Sequence, residues 1–163
     1  MLAFENTTAR GAAHIGDPGL ARRRAYIYCG YSREVGFAYV GMTLDRRGVL
    51  GRWADHLSRD TTGSSFRRRL HEWDETAWQR VRDLTVFWAE MGDQAEFLTV
   101  ETSHRESVEY LVQTKLRLIV GRGDPPLRII SFVRSNRTIN LPSVQKAASG
   151  VLDAFYSHYH SSR

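Results

Sequence analysis

A single cysteine, Cys29, stands in a chain of 163 residues, so an internal disulfide and any thiolate zinc site are excluded. Long apolar runs are missing as well, and no window approaches the roughly 18 residues of a membrane span. No basic, apolar leader ending in small residues opens the sequence. There is no internal repeat and no low-complexity tract. These absences lead to the expectation of a soluble, cytoplasmic protein with no membrane partner. Lysine is scarce too, with two among 23 basic residues. The rest are arginine, whose planar fork matches phosphate oxygens.

What is present suffices for a core, since 42% of the residues are hydrophobic. Length favours one domain, expected over 22–163, behind a flexible arm over 1–21 in which Gly11, Gly16, Pro18 and Gly19 interrupt any periodicity. Charge is distributed unevenly. Residues 1–70 hold 12 Lys+Arg against 6 Asp+Glu, and residues 71–163 hold 11 against 12. The positive half points to a polyanion partner. A solvated basic surface that binds nothing is the plainer alternative.

Alternating apolar residues predict strands near 24–30 and 36–42, joined through Gly30, Ser32 and Gly36 as a hairpin. Asp45 is placed to cap a short turn before a helix near 48–59, whose start Gly48 and Gly51 weaken. Thr61 to Ser65 is loop, with Ser64 or Ser65 capping a second helix near 65–73. Residues 83–91 read as a third strand. Val108, Leu111, Val112, Leu116 and Ile119 trace the stripe of a helix over 103–120, interrupted at Lys115. Ser103 with Glu106 forms the pattern of a capping box, and Gly121, Gly123, Pro125 and Pro126 end the helix. Residues 127–133 suit a further strand, 135–142 a loop and 143–160 a terminal helix. The fold class expected is α+β, a small antiparallel sheet of three or four strands flanked by helices.

Four side chains in this frame carry the most chemistry. Tyr28 and Tyr39 lie on the two hairpin strands, and Arg52 and His56 are one turn apart on the helix that follows. A cluster of two phenols, a guanidinium and an imidazole suits an oxyanion better than a metal. Taken singly, each has an ordinary alternative: strand aromatics packed across a hairpin, or an exposed helix face.

Tyr26-Ile27-Tyr28, then Tyr39-Val40-Gly41, then Arg52 and His56 four apart, together resemble the GIY-YIG nucleases. Tyr26 stands where that family has its first glycine. The resemblance is specific over 26–57 and extends across about 24–140. It implies metal-dependent endonuclease activity, a phosphodiester hydrolase using one Mg²⁺ or Mn²⁺, with duplex DNA as the expected partner. A homodimer on DNA is one way to site specificity, as in restriction-type enzymes. It further implies that Tyr28 lies beside the attacking water as its general base and that Tyr39 hydrogen-bonds the phosphate. Arg52 would bind the scissile phosphate, and His56 would relay a proton or touch the phosphate itself. The family's metal-binding carboxylate falls on the 103–120 helix, where Glu109 is favoured over Glu106, and its phosphate-binding asparagine is matched by Asn140 better than by Asn136. An ordinary turn asparagine accounts for Asn140 equally well.

Three further groups of arginines are candidates for nucleic-acid contacts: Arg22, Arg23 and Arg24 before the first strand, Arg46 and Arg47 before the helix, and Arg67, Arg68 and Arg69 on the second helix. Each is also readable as a solvated charged face. Cys29 should face away from Tyr28 as a buried, inert thiol. His14, His104, His158 and His160 show no ligand spacing. Two rival readings remain: a noncatalytic nucleic-acid-binding protein on the same fold, and a protein-interaction domain with fortuitous motifs.

Overall fold

In a computed structural model of the chain, the described residues are the backbone of 3–6 together with 24–58, 65–123 and 125–161. The hairpin predicted around the tyrosines is the centre of the fold. Strand β2 (Tyr26–Ser32) pairs antiparallel with β3 (Phe37–Thr43), placing Tyr28 opposite Gly41 and Gly30 opposite Tyr39. On its other side β2 pairs antiparallel with β4 (Thr85–Glu90). Asp83 fastens the hairpin loop: its carboxylate accepts Ser32 Oγ and the backbone N–H groups of Arg33 and Glu34, the last two at 2.8 and 3.0 Å.

The outer pairings differ from expectation. β1 (Ala3–Asn6) runs parallel to β4, and the two-residue β5 (Arg128–Ile129) runs parallel to β3. The sheet is therefore mixed, in the order β1-β4-β2-β3-β5, with only its three central strands antiparallel. The fold is α+β, but a purely antiparallel sheet is corrected. The arm expected over 1–21 contains strand β1; residues 7–21 lie outside the described residues. Gly30, expected in the hairpin loop, lies inside β2.

Every residue of β2 is buried, which a sheet covered on both faces requires. One face carries Tyr26, Tyr28, Phe37, Tyr39, Val86 and Trp88 against helices α1 (Gly48–Leu57), α2 (Ser65–Trp73) and the single turn α3 (Ala77–Arg80). The other carries Ile27, Cys29, Ala38, Val40 and Phe87 against α4 (Ser103–Val120) and α5 (Pro142–Ser161). Cys29 thus lies opposite Tyr28, fully buried, and burial raises its thiol pKa far above the ordinary value. Among the described residues no helix is long and apolar enough to cross a membrane.

Asp45 does cap a turn, its carboxylate accepting the Arg47 backbone N–H at 2.8 Å. The capping box at α4 does not form. Thr102 is the residue before the helix, its hydroxyl bonds the Glu106 carboxylate at 2.7 Å, and Ser103 Oγ bonds Glu101 at 2.6 Å. The acids at this helix start are held by hydroxyls rather than by backbone donors. The strand predicted over 127–133 shrinks to two residues because side chains replace its ladder. Ser131 Oγ accepts Val40 N–H at 2.9 Å, and Gln113 Oε1 accepts Val133 N–H at 3.2 Å. Beyond Ile130 the chain therefore peels away from β3, and that opening is what creates the site.

Candidate functional site

Where β3 and the 131–133 segment part, a pocket of about 280 Å³ opens between the two layers of helices. Tyr28, Tyr39, Arg52 and Glu109 all line it, although the tyrosines and Arg52 belong to one side of the sheet and Glu109 to the other. The sequence reading supplied those four residues; the opened sheet edge brings them together. Glu106, Arg68 and Arg69 also reach the pocket.

Helix α1 delivers two of the groups. Val49, Trp53 and His56, at positions i, i+4 and i+7, form its buried face, and Arg52 stands half-buried at the border. The Tyr28 ring packs edge-on against Trp53, with centroids 5.7 Å apart, and the Tyr39 ring meets His56 at 5.3 Å. These aromatic contacts leave little freedom for the tyrosines. The Tyr28 hydroxyl meets His56 Nε2 at 2.8 Å, and Arg52 hydrogen-bonds the same hydroxyl.

Two glycines of the hairpin strands are needed by this packing. A Cβ on Gly41 would lie 2.5 Å from Tyr28 Cζ, and one on Gly30 would lie 2.5 Å from Trp53 Cζ2. Gly41 thus gives the Tyr28 phenol its place, and Gly30 gives α1 its approach to the sheet. Gly41→Ala is expected to displace the phenol, destabilising the protein by about 1–3 kcal/mol. A urea midpoint equal to that of the native protein would contradict this account.

Electrostatics in the pocket follow from burial and from Arg52. Burial, with Tyr39 beside it, raises the Tyr28 pKa well above its ordinary value of 10, and Arg52 opposes the rise. Burial, and then the charge of Arg52, push His56 down to about 3, so its imidazole is neutral. Glu109 is pushed up to about 8, first by burial and then by the neighbouring charge of Glu106, against the pull of Arg52 and of the Gln113 amide. That amide donates to Glu109 Oε1 at 2.9 Å.

Among the described residues no three His, Cys, Asp or Glu side chains converge as a cage. The donor set fits instead a hard cation that keeps most of its water and takes one carboxylate plus phosphate oxygens. Glu109 is the pocket carboxylate that such a cation would use. Its carboxyl is held protonated by burial and by Glu106, a cost that a divalent charge would remove.

The remaining candidates are placed unevenly. Arg24 pairs with Asp93. Arg47 is held by Asp45 and Asp55 at 3.1 and 2.8 Å, so its charge is already neutralised, and Arg46 is exposed beside it. Arg67 stacks on Trp78 at 4.6 Å. Arg68 and Arg69 reach the pocket while sharing Glu72, at 3.8 and 3.0 Å. Arg22, Arg23 and His14 lie outside the described residues. Asn140 sits exposed in a turn and is not among the pocket residues. Asn136 is committed elsewhere: Oδ1 accepts Ser107 Oγ at 2.6 Å, and Nδ2 donates to the Ser103 carbonyl at 2.9 Å.

Sequence reasoning missed Gln113 and the wall formed by Ser131, Phe132 and Val133. Gln113 had a signal, being four residues after Glu109 on the same helix side. The wall had none, since its role arises from a strand that ends early. No protein-family model, no curated protein and no solved structure matches the chain.

Proposed function

We propose that this protein is a metal-dependent endonuclease of the GIY-YIG type, hydrolysing phosphodiester bonds of nucleic acid, with duplex DNA as the first substrate to test. One observation carries the reading: Tyr28, Tyr39, Arg52 and Glu109 line a single polar pocket, with His56 bonded to Tyr28 behind it.

Hydrolysis requires a deprotonated water, neutralisation of charge on the phosphoryl oxygens, and an in-line departure of the 3′ oxygen. Arg52 forks the phosphate and offsets its developing charge, and its half-buried position strengthens that interaction over water. Tyr39 donates its hydroxyl to a phosphate oxygen. Tyr28 accepts the proton of the attacking water while passing its own to His56 Nε2, so no isolated phenolate is needed. The free protein opposes that transfer because burial first, and then the charge of Arg52, depress the imidazole. A phosphodiester anion against Arg52 cancels that charge and raises the basicity of His56. Substrate thus removes the Arg52 share of the opposition to the relay, while the share due to burial stays. Glu109 would hold one divalent ion, which supplies charge neutralisation to the phosphate when bound.

Nicking of supercoiled plasmid in the presence and absence of Mg²⁺ tests the proposal. The native protein should nick only with the ion, and Glu109→Ala should lose at least a hundredfold in rate. Salt-sensitive DNA binding by native protein without any cleavage would select the noncatalytic alternative instead.

A further inference from the structure

The pocket does not close at its rim. Arg69, Ser131 and Phe132, which line it, also line a second cleft that runs on to Arg117 and Arg128. Arg117, Arg128 and Ile129 in turn line a third, which reaches Gly36 and Pro126. The three are one groove, leading from the Tyr28–Arg52 centre along the short β5 edge. Arg117 and Arg128 are exposed, and among the described residues neither makes an ion pair with a carboxylate. They contrast with Arg24 and Arg47, whose charges meet acids. At the junction of the first two clefts stands Phe132, a large aromatic 59% exposed beside a polar wall.

Glu109 and Arg117 lie on the same helix, α4, eight residues apart. At 1.5 Å per residue that is about 12 Å. A nucleic-acid strand rising 3.4 Å per nucleotide covers it in about three or four steps. Guanidinia without an ion-pair partner among the described residues, set along a groove with an exposed ring at its head, match a phosphate backbone carrying stackable bases.

We propose that this groove carries the nucleic-acid strand flanking the scissile phosphate, with Arg128 and Arg117 on its phosphates and Phe132 stacked on the sugar or base nearest the cut. The proposal rests on the nuclease reading and extends it to the path and footprint of the substrate.

The test uses the full chain bearing Glu109→Gln, so that binding is read without turnover, with a fluorescein-labelled DNA duplex followed by anisotropy across a salt series. Adding Arg117→Ala and Arg128→Ala should lower the slope of log affinity against log salt by about two. Phe132→Ala should leave that slope unchanged and weaken binding about tenfold, and Phe132→Trp should restore it. An unchanged slope in the double arginine variant, with native circular dichroism, overturns the path. So does Phe132→Ala binding at full affinity. Cleavage assays on the chain with Glu109 intact separate the two readings. Binding along this groove without cleavage removes the nuclease and leaves the path, whereas cleavage indifferent to Arg117 and Arg128 removes the path and leaves the nuclease.

Discussion

Arg52→Ala is expected to lower the single-turnover rate of plasmid nicking by about a thousandfold at saturating protein. Arg52→Lys should recover little of it, because a point charge on a flexible stem does not reproduce a fork on two phosphate oxygens. The size follows from position. The guanidinium is half-buried, hydrogen-bonds the Tyr28 hydroxyl and acts electrostatically on both His56 and Glu109, so its charge works in a medium that screens it less than water. The same substitution has a second signature that needs no turnover. Arg52 is the cause, after burial, of the depressed His56 pKa. In Arg52→Ala the imidazole should therefore titrate at higher pH than in the native protein, read from its NMR ring protons. A rate near that of the native protein would remove Arg52 from the chemistry.

Glu109→Gln is expected to stabilise the protein, and to do so only as pH rises. The Glu109 carboxyl has an ordinary pKa of 4.5 and one of about 8 in the folded chain. Between those values the native state holds a proton that the unfolded chain has released. Stability associated with that proton is complete below about pH 4.5 and is lost as pH rises through about 8. Glutamine keeps the oxygen that accepts from Gln113 and never ionises, so the variant escapes the loss. Above pH 8 it should exceed the native protein by about 3–5 kcal/mol, with no difference at pH 4. Urea midpoints at a series of pH values measure this. Mg²⁺ should then stabilise the native protein, increasingly so toward pH 8, and leave Glu109→Gln unmoved. If the variant is the less stable protein at pH 8.5, the Glu109 carboxyl is not held protonated, and the metal assignment loses its physical basis.

Much of the secondary structure was readable from local pattern. The α4 end at 120 followed from an apolar stripe closed by Gly121 and Gly123, its start at 103 from a Ser103–Glu106 pattern whose capping box does not form, and the 65–73 helix from the serines at its start. Local pattern failed where partners are distant in sequence. Residues 127–133 are mostly apolar, with β-branched Ile129, Ile130 and Val133, yet only Arg128–Ile129 pair with β3, because Ser131 and Gln113 bond the backbone that a longer strand would have used. The strand at Ala3–Asn6 carries too little periodicity to register, and its parallel pairing to β4 is a choice made by the sheet.

Spacing along the chain was enough to say which residues could act and on which elements they ride: two tyrosines on adjacent strands, Arg52 and His56 one turn apart, and an acid on the long helix. Those are consequences of spacing, since strand and helix periods assign faces without reference to anything remote. That Glu109 shares a pocket with Tyr28 is a result of how the sheet folds. The two lie on opposite sides of the sheet, and they meet because β5 ends after two residues and leaves the β3 edge open. The fold also decided which arginines carry unspent charge. That depends on whether an acid is folded against them, as with Arg47, or, among the described residues, not, as with Arg117 and Arg128, and spacing along one chain holds no record of it.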